Sequence, residues 1–361
     1  MRKHSFFVPV IAIAIATSVG GVGVSAKTSP VQNPIPIKLP VAPIGSITFE
    51  NILQHVPELA EVAYQAVQKV ELANVQPKVG TTVKTGPHTT PSVDDVPGAF
   101  KKIMKLWAGF RLPRTYYALI YNFEDKAWAK ATARDIPVVK STGGVNGPTN
   151  LPNLIDQCSA PTVCSSANSG INDVLGNGIG QFAMDPAHNA KDAYFYEGGI
   201  YGHEFTHSVQ AAQFLNSKTV PDSSMKIPCW FNEGQPNFIG TAAEAPDFAS
   251  FMKWRAGMPK GWSVPSFTDY SAASLLTVLK TGTPPRCLPP KPIYELGYGI
   301  GSLVIEALTA IGGPQSTMAV VTLLGRGKSY DDAFKSVYGV AWSKAAPVLA
   351  QVAATEYAAT P

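Results

Sequence analysis

Histidine is scarce in this chain, with 6 residues in 361, and none lies beyond His207. A metal centre completed from the second half of the chain must therefore draw on carboxylates or cysteines. Cysteine is as sparse, with 4 residues and none before Cys158. A thiol in the leading segment that plugs a metal site is excluded. No Asn-x-Ser/Thr sequon is present, which is more natural for a bacterial exported protein than for a eukaryotic one. No Gly-x-Ser-x-Gly elbow is present either, so a serine hydrolase has no nucleophile to present. Gly327-Lys328-Ser329 lacks the glycine that a phosphate loop needs five residues earlier, where Thr322 stands. Gly297, Gly299 and Gly301 lack the preceding strand and final spacing of a dinucleotide site.

Charge and hydropathy exclude further classes. Residues 1–26 combine a basic start (Arg2, Lys3), an apolar stretch over residues 6–16 and the small-residue end Val24-Ser25-Ala26. That pattern predicts a cleavable secretory signal and a secreted protein. Its removal takes Arg2 and Lys3 from the formal net charge of +4, leaving +2. So small a charge argues against nucleic acid or an anionic membrane as the main partner. No later run of 18 apolar residues occurs, so no stable membrane insertion is expected after processing.

Against that background one motif stands out, His203-Glu204-Phe205-Thr206-His207. Two histidines four apart lie one above the other on a helical face, so both imidazoles reach one ion with the glutamate beside it. Tyr194, Ile200, Tyr201, Phe205, Val209, Ala212 and Leu215 recur at helical intervals, and the glycines at 198, 199 and 202 place the helix start near Ile200. The pattern reads as a zinc site with its own general base, Glu204. A catalytic zinc takes three protein ligands and keeps a fourth position open. A third histidine at the metzincin spacing is missing, since Gln210 and Gln213 occupy the diagnostic positions. Glu233 in Trp230-Phe231-Asn232-Glu233-Gly234-Gln235-Pro236-Asn237-Phe238, 26 residues past His207, supplies an acidic ligand instead.

His203-Glu204-Phe205-Thr206-His207 followed by the segment around Glu233 resembles the gluzincin pattern of thermolysin-like peptidases and aminopeptidases, over about residues 182–240. The resemblance implies zinc on His203, His207 and Glu233, with Glu204 as base, and a peptide or protein substrate. Thermolysin-like enzymes place an aspartate four residues after the ligand glutamate to orient a zinc-bound histidine; Asn237 stands there, and its amide oxygen can accept the same N–H more weakly. No late histidine is available as an oxyanion donor. The segment from Tyr294 to Tyr298 is similar to the tyrosine-bearing helix of aminopeptidase-like gluzincins, which implies Tyr298 in that role with Tyr294 as reserve. Gly178-Ile179-Gly180-Gln181-Phe182-Ala183-Met184 stands where gluzincins have the edge strand that binds substrate. It lacks the aminopeptidase Gly-x-Met-Glu-Asn sequence, so an endopeptidase is favoured. His188 reads as a loop residue. Two other readings keep the fold but change the chemistry: a silent binding or scaffold protein, and a zinc hydrolase of a non-peptide substrate.

The remaining sequence supplies the architecture. After the signal, residues 27–46 read as a Pro-rich linker and residues 47–96 as a helical arm or prosegment, with a helix over 47–74 and a loop over 76–97. Residues 97–361 read as the catalytic domain. Mixed helices and strands precede position 184 and helices alone follow position 200. That order predicts an α+β, zincin-like, two-lobed fold with zinc in the cleft. In an exported chain the four cysteines predict two disulfides, Cys158–Cys164 and Cys229–Cys287, although two other connectivities fit the spacing.

Overall fold

The computed structural model describes residues 33–137, 139, 151–186, 199–215, 226–261, 266–281 and 295–360. The predicted signal, His188, Cys287 and Tyr294 lie outside them. Residues from Asn33 onward form one compact unit.

The described chain mixes α and β structure, with one four-stranded sheet and twelve α-helices. Helix α1 (Leu59–Ala73) is followed by strand β1 (Gly80–Thr85), α2 (Val96–Leu106), β2 (Thr115–Tyr121), α3 (Lys126–Asp135) and α4 (Leu151–Gln157). Strands β3 (Ser165–Ile171) and β4 (Asn177–Met184) complete the sheet. The order is β1-β2-β4-β3, with β1, β2 and β4 parallel and β3 antiparallel at the edge. Every regular element described from residue 199 onward is helical: α5 (Gly199–Phe214), α6 (Cys229–Glu244), α7 (Phe248–Gly261) and α8 (Ala272–Thr281) come first. A π-helical turn (Gly297–Gly301) then leads into α9 (Ser302–Gly312), α10 (Pro314–Gly325), α11 (Tyr330–Tyr338) and α12 (Trp342–Ala359).

The period-two alternation of β2 builds both faces of the sheet. Tyr116, Ala118 and Ile120 join the large core shared with α2, α5 and the later helices. Leu119 and Tyr121 face α3 and α4, whose Ala129, Ala133, Leu151 and Ile155 form a second cluster. With helices on both faces, the inner strands are largely buried, as parallel strands usually are. Gln181 is the polar exception; its amide donates to the Tyr121 hydroxyl at 2.7 Å.

Three expectations change. The predicted helix over 47–74 begins at Leu59, preceded by 3₁₀ turns Ile52–Gln54 and Val56–Glu58, the latter holding Pro57. The predicted loop over 76–97 contains β1, which pairs in parallel with β2 from Gly80↔Thr115 to Thr85↔Ile120. Its alternately exposed, threonine-rich sequence offers no apolar stripe, so only the pairing with β2 reveals it. The segment read as a free edge strand is β4, which is paired on both sides; the edge belongs to β3.

The leading segment lies in the common core. Ile47, Ile52, Leu59, Ala63 and Val67 are buried there. Residues 33–46 have no regular secondary structure but lie along the helices, with Val41 N–H donating to the Val337 carbonyl (2.7 Å) and Ile44 N–H to Ile311 (2.9 Å). Among the described residues no single helix is long and apolar enough to cross a membrane. The Cys158–Cys164 disulfide is present. Cys229 is disulfide-bonded as well; the predicted pairing with Cys287 falls outside the described residues.

Candidate metal centre

Helices α5 and α6 pack side by side and antiparallel. Gly202 meets Gly240 and Glu244, His203 meets Asn237, His207 meets Glu233, and Gln210 reaches Asn232. That direction turns a sequence separation of 26 residues into direct contact. His203 Nε2 and His207 Nε2 stand 3.1 Å apart. Glu233 Oε2 lies 3.2 Å from the second and 3.8 Å from the first. A tetrahedral site with bonds of about 2.0–2.1 Å has ligand–ligand edges of about 3.3 Å. The triangle of nitrogen, nitrogen and oxygen therefore fits around one ion, and among the described residues it is the group that could hold a metal.

The cluster is buried, and burial controls its electrostatics. It presses His203 down to about 3, with the neighbouring His207 adding to the effect. His207 moves up to about 9: burial opposes its charge, but the Glu233 carboxylate outweighs that by charge and hydrogen bond. Glu233 is held below the ordinary carboxylate range, because His207, His203 and the Asn232 amide outweigh its burial. The Glu204 carboxyl is lifted to about 8 by burial, lowered by His207 and raised again by Glu233. Its Oε2 has no hydrogen-bond partner among the described residues. His207 is the most open of the three metal-facing groups, with 16% of its side chain exposed.

A neutral amide stands beside each of the three metal-facing groups. Asn237 stands beside the His203 imidazole, and its NH₂ group donates to the Tyr298 carbonyl at 2.9 Å. Asn232 donates to Glu233 Oε1 at 2.7 Å, which leaves Oε2 facing the imidazoles. Gln210 Oε1 lies 2.9 Å from His207 Nδ1.

The structure also brings Tyr298 to the cluster. Its ring lies parallel to the His203 imidazole, 5.7 Å between centroids and 6° between planes. It sits in the π-helical turn, a local widening of the kind often found at functional sites. The turn can approach Glu233 because glycines face each other: a Cβ on Gly234 would lie 2.3 Å from the Gly301 carbonyl carbon. The glycines at 297, 299 and 301 that imitate a nucleotide motif thus pack against α6 and α7. Likewise Ser329 of the apparent phosphate loop is the N-cap of α11, accepting from the Asp332 N–H.

Gln210 and Gln235 were not legible as site residues. Pro236, inside α6, is the signal that points to them. A proline there leaves the Asn232 carbonyl without its helical donor, and Gln210 Nε2 donates to that oxygen at 3.2 Å. Comparison with protein-family models, with curated proteins and with solved structures finds no match to this chain.

Proposed function

We propose that this chain is an exported, zinc-dependent metallopeptidase of the gluzincin type, acting within peptide or protein chains. The meeting of His203, His207 and Glu233 across α5 and α6, with the buried Glu204 carboxyl on the same helix as the histidines, carries this reading. Two imidazoles and a carboxylate suit zinc, whereas magnesium and calcium favour all-oxygen sets. A zincin-like reading takes the sheet with α3 and α4 as one lobe and the helices from α6 onward as the other.

Zinc held there supplies Lewis acidity and lowers the pKa of a water toward about 7. Glu204 acts as general base: its carboxylate takes the proton of the attacking water and later gives it to the departing amine. Tyr298, stacked beside His203, is the donor to the oxygen that gains charge on the substrate carbonyl. Gln210 holds the His207 imidazole in orientation, and Asn237 stands beside His203. Among the described residues β3 pairs on one side only, with β4. It runs beside α5, where Ser169 and Ser208 hydroxyls lie 2.6 Å apart. An extended peptide can add to such an edge by main-chain hydrogen bonds.

The test is zinc content of the purified chain together with hydrolysis of an unstructured protein, with and without a chelator. Near-stoichiometric zinc and chelator-sensitive cleavage support the proposal. Zinc without peptide cleavage favours a binding protein or a non-peptide hydrolase, and a folded chain that takes up no zinc refutes it.

A further inference from the structure

Three neutral side chains lead away from the cluster through the core. His207 Nδ1 faces Gln210 Oε1 at 2.9 Å. Gln210 Nε2 donates to Gln235 Oε1 at 2.9 Å, as well as to the Asn232 carbonyl. Gln235 Nε2 donates to Thr317 Oγ1 at 2.7 Å, and Thr317 donates to the Pro314 carbonyl at 2.7 Å. Gln210, Gln235 and Thr317 are all fully buried. The chain of donors has one direction. Thr317 has a single proton, committed to Pro314, so its oxygen accepts from Gln235; that amide must then offer its oxygen to Gln210, and Gln210 its oxygen to His207. An oxygen at that position accepts only from an Nδ1–H, so Nε2, which faces Glu233 and His203, is the nitrogen left to ligate a metal.

We propose that Gln210 is a positioning residue for a metal held by His203, His207 and Glu233, fixing the His207 tautomer through a buried amide relay anchored at Thr317. The inference rests on the metal reading above and extends it to a residue outside the ligand set. A metal-binding histidine is commonly oriented by a carboxylate, a backbone carbonyl or water. Here the oriented group ends on a backbone carbonyl through two amides and a hydroxyl, with no formal charge added to the buried site.

A purely structural role for Gln210, filling the gap that Pro236 leaves at the Asn232 carbonyl, makes a different prediction. Two substitutions separate the roles. Gln210→Met removes both acceptor and donor at nearly constant volume, whereas Gln210→Glu keeps an acceptor for His207 and gives up the donor to Asn232. Zinc affinity is read by competition with a chromophoric chelator, alongside unfolding of each chelator-treated protein. Q210M is expected to bind zinc about 10- to 100-fold more weakly, the usual effect of losing such an outer partner. Q210E is expected to retain affinity near the parent, even if both variants unfold more easily.

Equal loss of affinity in Q210M and Q210E, or no loss in Q210M, overturns the proposal while leaving the zinc site intact. A parent that binds no zinc removes the metal reading itself, which keeps the two failures apart. If Q210M does not fold, the parent and Q210E decide. In the zinc-loaded, ¹⁵N-histidine-labelled parent, the His207 Nδ1–H should appear as a slowly exchanging, hydrogen-bonded proton, and Q210E should retain it. Its rapid exchange in the parent would overturn the relay.

Discussion

Gly234→Ala is a small substitution with a large expected effect, because of where the added methyl must go. A Cβ at this position would lie 2.3 Å from the carbonyl carbon of Gly301, 2.5 Å from its oxygen and 2.7 Å from its Cα. All three are backbone atoms, so no side-chain rotation relieves the contact. Restoring an ordinary separation of about 3.4 Å requires α6 and the π-helical turn to part by roughly 1 Å in a close-packed interior. Such overpacking costs about 1–3 kcal/mol, and more where the backbone cannot yield. Replacing glycine by alanine within a helix contributes about 1 kcal/mol in the opposite direction. The clash should win, leaving a net loss of about 2 kcal/mol. Gly257 isolates the propensity effect: it is an exposed position in α7, and a Cβ there meets nothing within 4 Å. Gly257→Ala should therefore stabilise by up to about 1 kcal/mol. Urea unfolding of the two variants beside the parent measures both effects. Zinc affinity should fall only in G234A, because the parted segments carry Glu233 and Tyr298. If G234A is stabilised as much as G257A, the tight α6–turn packing described here is wrong.

The remaining predictions concern the catalytic base, a buried charge cluster and the leading segment. Glu204→Gln should bind zinc as the parent does while cleaving an unstructured protein at least 10²-fold more slowly; parental turnover would remove Glu204 from its role. Arg255 donates to both Glu306 (2.6 and 2.7 Å) and Glu356 (2.8 Å) inside the helical core, so Arg255→Met should destabilise by about 3–5 kcal/mol, and loss under 1 kcal/mol by urea unfolding would refute this. Burial, and then the neighbouring Glu306, lift the Glu356 carboxyl well above its ordinary value of 4.5. The unfolded chain therefore releases that proton first, and the parent loses stability as pH rises above about 4.5. Glu356→Gln should remove this loss, gaining on the parent from pH 5 to pH 8; a gap that does not grow with pH argues against a raised carboxyl. A chain beginning at residue 97 lacks α1 and β1, whose Leu59, Ala63 and Val67 lie in the main core, and should not unfold cooperatively. A folded, soluble product would show the leading segment to be separable.

Local spacing carried much of the site. His203, Glu204 and His207 lie within one helical stretch, so periodicity alone places both imidazoles on one face. The elements expected over 99–106, 115–122, 125–135, 331–337 and 343–355 match α2, β2, α3, α11 and α12, because their apolar stripes are local. Sequence order also separated the sheet-bearing part from the helical part. Glu233 was nominated as an acidic ligand because no histidine follows His207, and Tyr298 by resemblance; only the antiparallel packing of α5 on α6 and the glycine-lined turn bring them to the histidines.

Other features have no local signature. β1 is half-exposed and rich in threonine, so its identity comes from the ladder with β2 rather than from its own pattern. Which strand forms the edge is a property of sheet order: β4, expected at the edge, is paired on both sides, because a strand's neighbours are not encoded in its own sequence. Gln210 enters the sequence argument as a departure from a metzincin spacing and becomes the partner of His207 once Gln235 and Thr317 are placed behind it. The chain by itself determined the helical pair of histidines with their glutamate, since residues four apart on a helix share a face whatever surrounds them. Tertiary structure decided the third ligand's approach, the edge strand and the amide relay, because each depends on contacts between segments distant in sequence whose hydrogen-bond partners only packing selects.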